Sequence, residues 1–230
     1  LQKEVYPLME RLLERGYDEA RTRARRAAVA AIQEATGYWT VAQHTAAPGS
    51  VSLSDVIRTF ERFLQPQDLL TLDAGSNRIW ATSQLKIRTP GQLIVPGGIG
   101  GMGWGPPAAA AAKLVHPGKR VTCLVGDGGF MMTMPVLTTC VQNDLPIVVV
   151  VANNSGLGMV RDNLKASPIA VDYADIDFAR IAEGLGCKGL RVDAPGQLDD
   201  ALAEAHRSGV PCVVDVKVDP ESSHVQVSHY

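Results

Sequence analysis

Residues 121–159 read VTCLVGDGGFMMTMPVLTTCVQNDLPIVVVVANNSGLGM. Two apolar, β-branched runs, Val121–Val125 and Ile147–Val151, end in the small polar turns Gly126-Asp127-Gly128 and Asn153-Asn154. A helix-like segment starting near Phe130 joins them. A strand, a crossover helix and a parallel strand put both turns at the carboxyl ends of neighbouring strands, where open parallel sheets hold their ligands. Asp127 and Asn154 are therefore expected to face one crevice. A carboxyl and an amide carbonyl are hard oxygen donors, suited to a magnesium or calcium ion that also takes phosphate oxygens and water. Gly128 and Gly129 let backbone N–H groups come close to an anion, and the helix that follows points its positive end the same way. The plainer reading is a pair of ordinary strand-to-helix turns.

The same alternation continues on both sides. Leu69–Leu72, Leu93–Val95, Gly189–Val192 and Cys212–Val218 read as further strands. Between them, Ser52 and Asp55 have capping-box spacing ahead of a helix reaching Leu64, and Pro106-Pro107 opens an alanine-rich helix. Asp177 caps a helix through Gly184, and Gln197–Arg207 forms another. Strands alternating with helices and lacking long loops predict an α/β fold, a doubly wound parallel sheet with helices on both faces. Ahead of it, Leu1–Leu13 and Arg21–Ala35 have helical patterns, and Thr45–Val51 reads as a linker. The expected organisation is a helical remnant of a preceding domain with its linker over 1–50, the α/β domain over 51–220, and a patternless tail over 221–230 that frays or covers a partner.

Composition narrows the function classes. A chain of 230 residues, 46% hydrophobic and 20% charged, can bury a full core. Its net charge of −2 gives no reason to expect nucleic acid or an anionic membrane as partner. The cluster Arg21, Arg23, Arg25, Arg26 has no aromatic platform beside it and reads as a solvated helix face. Cys123, Cys140, Cys187 and Cys212 form no CxxC pair and sit mostly in apolar runs, which predicts buried free thiols in a reducing, cytoplasmic setting. The five histidines show no ligand spacing.

One segment invites a rival reading. Gly98-x-Gly100-x-x-Gly103 satisfies the dinucleotide fingerprint and would suit a nicotinamide-dependent oxidoreductase. That fingerprint also needs an acidic residue at the end of the next strand, and the nearest candidate, Asp127, already belongs to the Gly-Asp-Gly turn.

Gly-Asp-Gly followed some 25 residues later by Asn-Asn resembles the cofactor motif of thiamine diphosphate enzymes, and this copy is similar to those of the acetolactate synthase group. The likeness extends through GGIGGMGWGPPAAAAAKLVHP and DFARIAEGLGCKGLRV, from about Asp68 to Val218. It implies a thiamine diphosphate-binding fold with Mg2+ held by Asp127, Asn154 and the carbonyl of Gly156. It places Gly126, Gly128 and Gly129 at the diphosphate, together with Gly75, Ser76 and Asn77, for which a simple helix cap is the alternative. Met102 would be the apolar wedge between the two cofactor rings, with Gly100 supplying a carbonyl to the aminopyrimidine; core filler is the plain reading of the methionine. Leu157, Gly158 and Met159 would lie near cofactor and substrate, and 166–173 would form a loop over the site.

The resemblance also implies a 2-oxo acid substrate, decarboxylation and acyl transfer as in branched-chain amino acid biosynthesis, and a dimer or tetramer. It leaves open whether FAD is bound, which would then be in the missing part of the parent protein. The activating Glu of such enzymes lies on a pyrimidine-binding domain supplied by another chain or a missing N-terminal part, and nothing here matches it. The isolated chain is therefore expected to be inactive. Two departures stand out. Ser76-Asn77 occupies the place of a usual Gln-His, and Asp162-Asn163 after Arg161 that of a usual Gln-Trp. The second leaves acetolactate, or the product of another thiamine diphosphate-dependent decarboxylase or lyase, open. A cofactor-binding subunit without catalysis is the remaining alternative.

Overall fold

A computed structural model describes residues 2–16, 18–36, 44–164 and 169–227. The chain divides into two units, Leu1–Thr40 and Val41–Tyr230. The boundary falls earlier than residue 50, because 44–50 belong to the second unit: Val51 pairs with Val218, and Asp219 accepts a hydrogen bond from the Ala47 N–H at 2.7 Å.

The first unit holds α1 (Gln2–Glu14) and α2 (Glu19–Thr36). No described residue of α2 is buried, so its arginines do form a solvated face.

The second unit is built on a six-stranded parallel sheet. In chain order the elements are α3 (Leu53–Phe63), β1 (Leu69–Leu72), α4 (Ser76–Gln84), β2 (Leu93–Ile94), α5 (Gly105–Val115), β3 (Val121–Gly126), α6 (Asp127–Thr133) and α7 (Val136–Gln142). Then come β4 (Val148–Asn153), α8 (Gly158–Leu164), α9 (Phe178–Gly184), β5 (Lys188–Val192), α10 (Leu198–Arg207) and β6 (Cys212–Lys217). The spatial order is β2-β1-β3-β4-β6-β5, every pair parallel.

Side-chain alternation along each strand divides the core in two. Leu70, Leu72, Leu124, Val148, Val150 and Val214 pack with Phe60, Trp80 and Leu202 of α3, α4 and α10. Leu69, Cys123, Val125, Val149, Val151 and Val213 pack on the other face with Ala109, Phe130, Leu137 and Phe178 of α5, α6, α7 and α9. Phe130 and Phe178 meet edge to face, with ring centroids 5.4 Å apart. The doubly wound sheet is thus the observed architecture.

The strand order decides where a ligand can sit. From β1 the chain steps outward to β2 and returns to β3 on the other side. The helices after β1 and β3, α4 and α6, therefore leave on opposite faces, and a crevice opens between their first residues.

Local structure departs from expectation in three places. The crossover is two helices, because Pro135 has no N–H to continue α6; and α6 starts at Asp127, three residues before Phe130. Residues 221–227 are not frayed: Ser222 accepts from the Leu53 N–H at 3.2 Å, Trp80 Nε1 donates to the Ser223 carbonyl at 3.1 Å, and Val227 joins the core. The segment Gly158–Leu164 is helical although its sequence carries little periodicity. The Ser52 cap is present, its hydroxyl accepting from the Asp55 N–H at 3.0 Å. All four cysteines are free and buried.

At the opposite end of the sheet, His206 of α10 is largely enclosed. Its Nε2 lies 3.0 Å from Thr122 Oγ1, and its ring stacks on Phe63 at 5.6 Å. Burial, with Arg120 and Lys113 nearby, lowers its pKa to about 4.

Candidate cofactor and metal site

The crevice at the switch point has a volume of about 150 Å³. On one wall are Gly75, Ser76 and Asn77, where β1 turns into α4; facing them are Gly126, Asp127, Gly128 and Gly129, where β3 turns into α6. The turn after β4 and the start of α8 add Asn154, Gly156, Leu157, Gly158 and Met159, and Met102 reaches in from the glycine-rich segment before α5. Of the residues singled out in the sequence, Gly100 alone does not line it; a Cβ there would lie 3.1 Å from the Arg78 guanidinium.

Asp127 is 2% exposed and forms the floor. Its Oδ1 accepts from the Gly128 N–H at 2.7 Å, and its Oδ2 from the N–H groups of Asn154 at 3.0 Å and Gly156 at 3.2 Å. These bonds tie the two turns together. Burial raises the Asp127 pKa, opposed by Tyr173 and the three N–H donors. The Tyr173 hydroxyl is buried beside this carboxyl without a well-aligned hydrogen bond, and burial pushes its pKa upward. It arrives there because residues 171–173 fold back on the Asn154 turn, with Leu157 N–H donating to Val171 at 2.7 Å and Tyr173 N–H to Ser155 at 3.1 Å. The start of the 166–173 loop lies outside the described residues.

The Asn154 side-chain amide meets the Gly156 carbonyl at 2.7 Å and Asp127 Oδ2 at 3.3 Å, and in the chain alone it satisfies both by donating through its nitrogen. A hard cation between these groups would instead favour the amide oxygen facing inward, beside the carboxyl and the carbonyl. Among the described residues no cluster of three or more His, Cys, Asp or Glu side chains could hold a metal, so the donors available are one carboxyl, one amide and one backbone carbonyl. On the opposite wall, Ser76 Oγ is buried with no hydrogen-bond partner. An orphaned hydroxyl at the start of α4, whose N-cap Gly75 offers no side-chain cap, fits an anionic oxygen. Asn77 does otherwise: its Nδ2 donates to the Leu124 carbonyl at 3.3 Å, stapling the start of α4 to β3.

Two functional neighbours carried no local sequence signal. Tyr173 lies in an irregular loop far along the chain. Asp73 ends β1 and reads from sequence as one more turn residue; in the structure it is fully buried.

A doubly wound α/β domain with a polar crevice at its switch point is the class that fold and site define. Residues 73–216 match the family of the thiamine pyrophosphate enzyme C-terminal TPP-binding domain, and the chain belongs to that family. Among curated proteins it is 36% identical over 160 residues to a probable acetolactate synthase large subunit of Methanococcus aeolicus, covering 67% of this chain and 27% of that protein. It is 34% identical over 168 residues to the acetolactate synthase of Bacillus subtilis, covering 72% of this chain and 30% of that one. The chain thus spans less than a third of these relatives. The fold is shared with the thiamine diphosphate-dependent 4-hydroxybenzoylformate decarboxylase of Rhodococcus jostii RHA1, at a TM-score of 0.72 and 24% identity over 79% of this chain and 35% of that structure.

Proposed function

We propose that this chain is the diphosphate- and metal-holding part of an acetolactate synthase-like enzyme that decarboxylates a 2-oxo acid and transfers the acyl unit. The observation that carries the reading is that Asp127 Oδ2, the Asn154 side-chain amide and the Gly156 carbonyl meet in the crevice that the orphaned Ser76 hydroxyl also lines. On this reading Asp127, the Asn154 amide oxygen and the Gly156 carbonyl would hold Mg2+, and the turns that open α4 and α6 would hold the diphosphate. Thiamine diphosphate, when bound, would supply the nucleophilic carbon and the electron sink that decarboxylation of a 2-oxo acid needs. The residues of this chain bind and orient: Met102 supports the cofactor from the glycine-rich side, while Leu157 and Met159 provide apolar cover that keeps water out. The activating carboxyl comes from a separate pyrimidine-binding domain across an oligomer interface, so the isolated chain binds without turning over. No described helix is long and apolar enough to cross a membrane, and the free buried thiols fit a reducing compartment.

One observation favours a decarboxylase or lyase other than acetolactate synthase. Asp162, standing where a Gln is usual, turns away from the crevice: its Oδ2 accepts from Ser223 Oγ at 2.6 Å and meets His224 Nδ1 at 3.0 Å. The nicotinamide reading loses its context, since the strand before Gly98–Gly103 is a two-residue strand at the sheet edge.

The test is a fluorescence titration with thiamine diphosphate, with and without Mg2+ and with Asp127→Ala. Saturable binding that requires both the metal and Asp127 supports the proposal. Metal-independent binding of a nicotinamide cofactor in its place sinks it.

A further inference from the structure

We propose that Asp73, which does not line the crevice, is the positioning residue that sets the place of Met102 above it; the inference rests on the cofactor reading just given. Asp73 ends β1 and is 0% exposed. Its Oδ2 accepts from the Gly103 N–H at 2.8 Å, and its Oδ1 from the N–H groups of Trp104 at 3.0 Å and Gly105 at 3.3 Å. One carboxyl thus reaches from just past the end of β1 to the segment that runs into α5 and holds consecutive amides directly after Met102.

The slot it occupies is kept clear by glycines. A Cβ at Gly129 would collide with Asp73 Oδ2, and one at Gly105 would lie 3.0 Å from the Asp73 Cβ and 2.9 Å from Cys123 Sγ. The absence of a side chain at 129 is therefore demanded by Asp73, whatever else that N–H approaches. By contrast, Cβ atoms at Gly97, Gly98 and Gly101 would meet nothing within 4 Å, and Ile99 is fully exposed. These positions have little packing of their own, whereas a Cβ at Gly100 would lie 3.1 Å from the Arg78 guanidinium and one at Gly103 2.9 Å from Thr133 Cγ2 and 3.2 Å from Met132 Cβ of α6. Met102 is 38% exposed, and its Cε would lie 3.1 Å from a Cβ at Gly128, so its tip overhangs the Asp127 turn. Gly103 is thus held from two sides, by the Asp73 carboxyl and by its packing against α6, and the Asp73 bonds are what fix the direction of the backbone directly after Met102.

The same bonds cap α5 through space, so a purely structural role has to be separated from a positioning one. Asp73→Asn does this, because the amide keeps Oδ1 for Trp104 and Gly105 but presents an N–H2 group to the Gly103 N–H. The experiment combines amide hydrogen exchange with thiamine diphosphate titration in Mg2+, on the whole chain, for wild type, Asp73→Asn and Ser52→Ala. The last removes the N-cap of α3 and leaves the Asp73 bonds intact. In Asp73→Asn, exchange at Gly103 is expected to accelerate by about tenfold or more and cofactor affinity to fall by about tenfold, with β1 and β3 still protected. Ser52→Ala is expected to lower thermal stability while leaving both readouts unchanged.

Unchanged exchange at Gly103 would overturn the proposal. So would a uniform loss of protection across α5 and the sheet, with affinity merely following the folded fraction. If wild type binds no thiamine diphosphate, the cofactor reading fails by itself, and the exchange data still decide whether Asp73 anchors the segment.

Discussion

Lowering the pH from 7.5 to 4.5 should weaken the fold through His206, which is far from the crevice. The ring lies against Phe63 and Thr122 with Arg120 and Lys113 close by, and its pKa falls from 6.5 to about 4. The depressed value means that the folded state holds the neutral imidazole. Between pH 6.5 and about 4 the unfolded chain binds the extra proton, so stability is complete above this window and lost as pH falls through it. At pH 4.5 almost every unfolded molecule carries the proton and only a minority of folded ones do. The loss works out at about 2.5 kcal/mol, a large part of a typical domain's stability. Burial raises the pKa of Asp127 and Asp215, which act in the opposite sense, gaining stability as pH falls. The contribution of His206 is therefore read as a difference. Urea unfolding of wild type and His206→Gln at both pH values should show a wild-type loss exceeding the variant's by about 2 kcal/mol. Equal losses in the two proteins would refute the reasoning.

Phe130→Ala removes a fully buried ring packed edge to face on Phe178, and should destabilise by about 3–5 kcal/mol in urea unfolding. Gly129→Ala should cost about 1–3 kcal/mol through its collision with Asp73, and the loss should shrink when Asp73→Ala is combined with it. Ending the chain after Pro220 removes Val227 from the core together with the Ser222 and Ser223 hydrogen bonds, and should lower stability by about 3 kcal/mol in the same assay. Thiamine diphosphate with Mg2+ at a hundredfold excess over Kd should stabilise the fold by about 2.7 kcal/mol in a thermal unfolding series, and a chelator should erase the gain.

The central strands were legible because parallel strands covered on both faces are continuous apolar runs, as in Val148–Val151. The juxtaposition of Asp127 and Asn154 followed from the handedness of a single crossover. What escaped was set by contacts distant in sequence. Nothing local to GMVRDNL marks a helix; among its described contacts are the bonds of Asp162 to Ser223 and His224, which come from the far end of the chain. The tail resembled a frayed end because Val227 is a lone apolar residue among polar ones, and only the fold shows the space it fills. Asp73 and Tyr173 are single polar residues whose partners are backbone amides and a carboxyl on other elements, so no spacing announces them. Asp127 itself opens α6, since the Gly126 backbone is already extended and the helix needs no further turn residue.

The two-sided core has a bearing on how the crevice could be altered. Its walls rest on different foundations: Ser76 and Asn77 stand on the packing of Phe60, Trp80 and Leu202, whereas Asp127 stands on that of Phe130, Leu137 and Phe178. The sheet backbone is what the two share. Repacking beneath α4 would shift the wall that carries Ser76, and repacking beneath α6 would shift the wall that carries Asp127. The two walls are, in that sense, separately adjustable from below, without any substitution in the crevice itself.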